Sequence, residues 1–293
     1  MPHRMGLTST RGILYGLLAY GLFTVNDAVV KWLVDAMPVW QVMFFRSLTV
    51  FAGTLVIGGP PILRRALTTP LKRPLTERAL LMMTAWLCYY TASRSLPLGQ
   101  LTTLYFVAPL VVTLLAARLL GEHVTPARWA AVSIGFMGVM LASDPFGVTA
   151  SWPTALVLAA AVMWGYGIVL MRRIALQEPT LLQMLFSNAV FLVISGIASV
   201  ATWHTPAGME WTLLLAVGVF GGLAQFSVFE AARLVPASVL ATVEYSGLLW
   251  AFLLGFVVWD DIPPPAGLIG AALIAAAGTL LMIAERRIPA ARG

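Results

Sequence analysis

The sequence predicts an all-α integral membrane protein: ten transmembrane helices forming two inverted five-helix repeats around a central cavity, with both termini cytoplasmic. Three observations predict it. Hydrophobic residues make up 60% of the 293 positions and charged residues 10%, with a mean hydropathy of +0.89, whereas a soluble domain carries roughly a quarter of its residues charged. Residues 94–127 and 233–266, which lie 139 positions apart, share nine identities when overlaid without gaps. Fifteen of the 18 Lys and Arg residues fall on one side of the expected bilayer, which places that side in the cytoplasm.

A bilayer core takes about 20 apolar residues per helix, and that length divides the chain at its breakers. The first span, 11–34, follows His3, Arg4 and Arg11 and closes before Met37-Pro38. It is longer than a signal-peptide core and has no small-residue cleavage site, so it reads as a retained helix. Span 40–58 stops at Gly58-Gly59-Pro60-Pro61, and span 76–96 stops at Pro97-Leu98-Gly99. The fourth span, 101–120, carries Pro109 as an expected bend and ends at Gly121-Glu122, ahead of Pro126. Span 125–143 runs to Asp144-Pro145 and completes the first unit, 1–145. In the second unit, 146–293, the spans are 153–173, 180–202, 211–234, 238–259 and 265–284. They are parted by Glu178-Pro179, Thr205-Pro206, Pro236 and Pro263-Pro264-Pro265.

The repeat and the charges constrain each other. Arg94-Ser95-Leu96-Pro97 matches Arg233-Leu234-Val235-Pro236, with Leu101/Leu240, Thr103/Thr242 and Leu114/Leu253 following in register. Five spans per unit is an odd number, so the second unit enters the membrane upside down. Lys31 closes the first span outside, and Arg172 closes the sixth inside. Such an inverted repeat points to a secondary transporter with a site between its halves.

Several function classes are excluded. The +6 net charge is spread through short loops and forms no patch for nucleic acid. Cys88 is a lone cysteine, which removes disulfides and thiolate metal sites. His3, His123 and His204 lie in loops, no P-loop is present, and no lysine sits at midspan. No enzyme activity, cofactor or metal is expected. The expected partners are the lipid bilayer and a small-molecule substrate, and the expected state is a monomer.

Ionisable groups within a bilayer need a reason to be there. One layer, expected toward the outside, holds Asn26, Asp27, Lys31 and Arg46; it reads as an outer gate. A second, toward the cytoplasm, holds Glu230 and Arg233 as an inner gate, with Glu244 deeper. Local ion pairing of Asp27 with Lys31 and of Glu230 with Arg233 accounts for the same residues without any gate. Trp86, Tyr90, Trp164 and Tyr166 bring polar aromatic tips near midspan, where lipid offers no partner, and Tyr105 and Tyr245 join them from the fourth and ninth spans. They are candidate cavity walls. Asn188, Gln225 and Ser246 are candidate substrate contacts, and equally fit the role of interhelical hydrogen-bonding groups.

The run Ala108-Pro109-Leu110 to Leu120-Gly121-Glu122, followed by Ile134-Gly135-Phe136-Met137-Gly138-Val139, resembles the EamA repeat of the drug/metabolite transporter superfamily. The resemblance covers essentially the whole chain as two copies. The second copy departs from the pattern, with Leu248 where the proline is expected and Asp260-Asp261 in place of Gly-Glu. It implies a bacterial inner-membrane exporter of small amphipathic metabolites, above all amino acids including aromatic ones, similar to exporters of the YddG type. Alternating access would close the two charged layers in turn. The alternative within transport is a multidrug exporter of cationic aromatics, with Glu244 or Asp27 as counter-ion. From another class comes a non-transport membrane scaffold or sensor.

Overall fold

The computed structural model describes residues 2–93, 95, 96, 101, 104–142, 151–259 and 265–287. Among these the chain is helical, with no strand. Six stretches are long and apolar enough to cross a membrane: Ser9–Val34, Val39–Thr68, Trp152–Ala175, Thr180–Val200, Met209–Leu234 and Ala237–Val257. Ala108–Leu119, Pro126–Leu141 and Pro265–Leu281 are shorter apolar helices. Of the repeat's landmarks, Arg94, Pro97, Thr103, Asp144, Asp260 and Asp261 lie outside the described residues, as does the side chain of Lys31.

The helices are α1 (Pro2–Ala36), α2 (Val39–Thr68), α3 (Lys72–Ser93), α4 (Ala108–Leu119), α5 (Pro126–Ala142), α6 (Trp152–Ala175), α7 (Thr180–Val200), α8 (Met209–Leu234), α9 (Ala237–Glu244), α10 (Ser246–Trp259) and α11 (Pro265–Arg287). Most breaks fall where the sequence has a proline, which removes a donor and restricts the residue before it. The stop expected at Gly58-Gly59-Pro60-Pro61 is instead a kink inside α2. Gly59 turns the chain with φ 56°, and helix resumes through Pro60 and Pro61 to Thr68. Proline at the first turn of the resumed segment gives up no helical hydrogen bond.

The fourth and ninth spans are both interrupted, at matching places. Helical turns stop at Phe106-Val107 before α4, and at Tyr245 between α9 and α10, and Phe106 and Tyr245 are 139 positions apart. Pro109 follows the first break and serves as an N-terminal residue of α4. At the second break Leu248 stands in its place, so the interruption does not depend on proline.

Packing relates the two halves reciprocally. α1 lies along α8 and α3 along α6, while α2 pairs with α7 and α5 with α11. α2 and α7 run antiparallel. Arg65 of α2 meets Glu178 just ahead of α7 at 2.9 Å, Phe44 faces Gly196, and Gln41 bonds the His204 backbone beyond the far end of α7. α1 and α8 are also antiparallel, with Gly12 against Leu234 and Val235, and Asn26 against Gly221.

The arginine-rich end is closed by caps that cross between elements. Gly121, with φ 63°, ends α4 in the left-handed conformation that suits glycine. The Glu122 carboxylate then accepts from the Ala237 amide (2.9 Å), the Ser238 amide (3.2 Å) and the Ser238 hydroxyl (2.9 Å). These are free donors at the start of α9, where the helix dipole favours an anion. Arg172 donates to the Ala232 carbonyl at 2.5 Å, near the end of α8. Glu178 is buried, taking two bonds from Arg65 at 2.9 Å each and one from the Thr69 hydroxyl at 2.5 Å.

Replacing Glu122 by Ala removes a charged helix cap, worth about 1–2 kcal/mol. The apparent unfolding midpoint in detergent should fall, and that of Glu122→Gln should fall less. An unchanged midpoint for both variants would show that the cap contributes nothing.

Candidate functional site

Two adjoining cavities lie between the halves. The larger, about 440 Å³ of space between side chains that is partly open to solvent, is lined from α1, α2, α3, α6, α7 and α8. The smaller, about 240 Å³, is lined from α1, α2, α3 and α7. Arg46, Trp86 and Phe191 border both. Helical periodicity produces the walls: Trp86, Tyr89 and Tyr90 occupy one face of α3, since positions three and four apart overlie each other.

Ring contacts extend this wall across the molecule. Phe23 of α1 meets Trp86 at 6.4 Å and Trp164 at 6.3 Å. Trp86 meets Tyr90 at 5.3 Å, Tyr89 meets Tyr105 at 5.0 Å, and Tyr105 meets Trp164 at 6.3 Å. The wall is one aromatic surface built from both halves.

The expected site residues separate into three groups. Trp86, Trp164, Gln225 and Arg46 line the larger cavity, and Tyr90 lines the smaller. Tyr105 continues the wall, and Glu244 is buried next to the Tyr20 hydroxyl and the Trp164 indole. Asn26 is buried and donates to Asp27 at 3.3 Å; Asp27 keeps an exposed surface and has Arg46 and Tyr90 as neighbours.

The second group lies elsewhere. Tyr166 is 40% exposed on the outer surface of α6, because two residues of helix rotate it about 200° from Trp164. Tyr245 is fully buried, against Gly135 of α5 and 5.7 Å from Phe106, so it is a core residue away from the cavities. Asn188 bonds Gln225 at 3.0 Å and the Met184 carbonyl at 2.8 Å, joining α7 to α8. Ser246 is buried beside the α9–α10 break and borders neither cavity.

The third group is the pair assigned to an inner gate. Glu230 and Arg233 form a local ion pair at 3.2 Å, and Thr180 also donates to Glu230. Both sit partly exposed at the end of α8, away from the cavities, which is the geometry of simple ion pairing.

Arg78 is the residue that sequence reasoning misplaced. The charge pattern groups it with Arg64, Arg65, Lys72 and Arg73 around the connection after the second span, yet it is 4% exposed and lines the larger cavity. Its guanidinium lies 4.5 Å above the Phe229 ring and donates to the Ser187 hydroxyl at 3.1 Å. The available signal was its position inside the third span as drawn, 76–96. Arg46, 5% exposed, lies 4.7 Å above the Trp86 ring. Among the described residues no carboxylate comes within 4.0 Å of either guanidinium.

Magnitudes show what this arrangement requires. A charge at the centre of a membrane helix costs roughly 2.5–3.5 kcal/mol on insertion scales. A cation–π contact returns roughly 0.5–2 kcal/mol. The Nε atoms of both arginines remain without hydrogen bonds. The polar neighbours that share the rest of this cost are Asp27 near Arg46 and the Ser187 hydroxyl bonded to Arg78.

The fold and the site together define a helical membrane protein with an arginine-bearing, aromatic-walled cavity between two related halves. A profile of the EamA-like transporter family matches residues 10–144 and again 151–284, and the chain belongs to that family. Similar proteins include an S-adenosylmethionine uptake transporter of Rickettsia prowazekii, 25% identical over 96% of this chain and 95% of its own. A pseudopaline exporter, CntI, of Pseudomonas aeruginosa is 28% identical, covering 91% and 94%. A riboflavin transporter of Rhizobium johnstonii is 27% identical, covering 94% and 92%. One crystal structure superposes with a TM-score of 0.79 over 96% of this chain and 99% of the other, at 21% identity, which shows a shared fold.

Gly221 gives this site a steric test. A Cβ there would lie 2.7 Å from Arg46 Nε and 2.8 Å from Asn26 Oδ1. Gly221→Val should lower stability by about 1–3 kcal/mol through overpacking, whereas Tyr166→Ala should change it by less than about 0.5 kcal/mol. Equal effects in detergent unfolding would contradict the placement of both residues.

Proposed function

We propose that this chain is a secondary transporter that exports small amphipathic metabolites, amino acids including aromatic ones, across a bacterial inner membrane. It works by alternating access between two inverted five-helix halves, with ten spans and cytoplasmic termini. Family membership supports transport of a small solute by an integral membrane protein. The antiparallel pairing of α2 with α7, which hold second place in the two halves, supports inversion. Counting α3 and the shorter apolar helices as spans gives ten, with α9 and α10 forming one.

The observation that carries the substrate reading is the grouping of Asp27, Arg46 and the aromatic wall. The Arg46 guanidinium suits a carboxylate and the Asp27 carboxylate suits an ammonium, while Trp86, Tyr90 and Phe23 offer apolar faces to a side chain. A zwitterion with an aromatic or aliphatic side chain matches that order of groups. Arg78, with no carboxylate beside it among the described residues of the lining, disfavours cationic aromatics. At the arginine-rich end the Glu122, Glu178 and Arg172 contacts tie the helices together. Rocking of the halves would release that end and close the Asp27 layer in exchange.

Counterflow into proteoliposomes tests this reading directly. Labelled phenylalanine should exchange, while phenethyltrimethylammonium should not. Asp27→Asn and Arg46→Gln should each lower phenylalanine exchange at least about tenfold, the scale of one lost charge-assisted contact. Undiminished exchange in both variants would remove these residues from the site.

A further inference from the structure

Arg78 is left over once a zwitterion is placed between Asp27 and Arg46. It lies on α3, lines the larger cavity and is 4% exposed, so no water-facing surface explains its charge. Among the described residues its guanidinium bonds one hydroxyl, Ser187, and covers one ring face, Phe229. Its Nε has no hydrogen-bond partner among the described residues. Among the described residues the lining of this cavity contains Arg46 and Arg78 and no acidic residue; Asp27 lies near Arg46, so Arg78 is the cation left without an acidic neighbour in the lining. Gln225, also in the lining, adds a neutral polar group.

We propose that Arg78, with Ser187, is an anion-holding subsite, and that the chamber takes an aromatic solute bearing a carboxylate or comparable oxyanion in addition to any group at Arg46. The proposal rests on the reading that the chamber is the solute site. A guanidinium with a free edge presents donors in the planar fork that matches an oxyanion. The aromatic wall from Phe23 to Trp164 lines the same space. Solutes with two anionic groups therefore bind better than singly charged ones, and neutral ones bind worst.

Titration calorimetry on the purified protein tests this with 3-phenylpropionamide, 3-phenylpropionate and phenylsuccinate, which carry no, one and two carboxylates. The expected order is phenylsuccinate tightest and the amide weakest, separated at least about tenfold. Arg78→Gln should abolish the advantage of phenylsuccinate over phenylpropionate and leave the amide unchanged. The unchanged amide also shows that the variant is folded. If Arg78→Gln cannot be purified, Arg78→Lys takes its place: it keeps the charge without the fork and should weaken phenylsuccinate about three- to tenfold. Retained affinities in the variant purified, or equal affinities for the three probes in the native protein, overturn the proposal.

A lipid headgroup is another source of oxyanion. Displacement of phenylsuccinate by phosphatidylglycerol but not by phosphatidylcholine in mixed micelles would assign the subsite to lipid and overturn the solute assignment. Anion binding without counterflow of any solute would sustain the subsite and remove the transport reading. Phenylalanine counterflow without anion preference would do the reverse.

Discussion

The guanidinium of Arg46 is the group around which the centre of the molecule is arranged. It sits inside a hydrophobic assembly where a charge is expensive, and each of its surroundings answers that demand. Trp86 lies beneath it, Asp27 and Tyr90 are near it, and both cavities open against it. Gly221 of α8 has no side chain to obstruct it, which lets α8 approach where α1 supplies Asn26. A helix from the second half thereby completes the setting of a charge carried by the first. The same logic extends to Arg78, whose ring and hydroxyl partners, Phe229 and Ser187, come from α8 and α7. Each half provides the arginines or their supports, and neither encloses the chamber alone.

The caps at the arginine-rich end follow a related rule. Helix ends inside or near a membrane need partners for their free amides and carbonyls. Here those partners come from other elements: Glu122 holds the start of α9, and Arg172 holds the end of α8. Capping in trans couples local helix stability to the relative position of helices. A conformational change that parts α4 from α9 must break three hydrogen bonds at once, which favours two distinct arrangements over a continuum.

The sequence made the helices legible because proline and glycine punctuate long apolar runs. It misled at Gly59, where the positive-φ residue and two prolines produce a kink with helix on both sides. The alignment of the repeats led to a bend expected at Pro109 alone, whereas the structure interrupts both spans. Pro109 suggested an asymmetry, yet Phe106 and Tyr245 break at the same register with a proline after only one of them. Site residues were legible where spacing fixed a face, as for Trp86 and Tyr90. Tyr166 failed because a place at midspan fixes depth and not the face of the helix, and its face is the outer one. Arg78 failed because positive charge near a span end was attributed to topology, and only tertiary packing shows which way an arginine near the end of a helix points.

The central claim is that one chamber, bounded by Arg46 and Arg78, is reached from each side of the membrane in turn. It is tested most directly with a single cysteine at Ser187, placed in the lining after Cys88 is replaced by serine. Proteoliposomes are treated from one side at a time with a membrane-impermeant thiol reagent, with and without saturating phenylalanine. The account predicts that Ser187→Cys reacts from either side and that phenylalanine slows both reactions. Labelling from one side only, or labelling indifferent to phenylalanine, would contradict it.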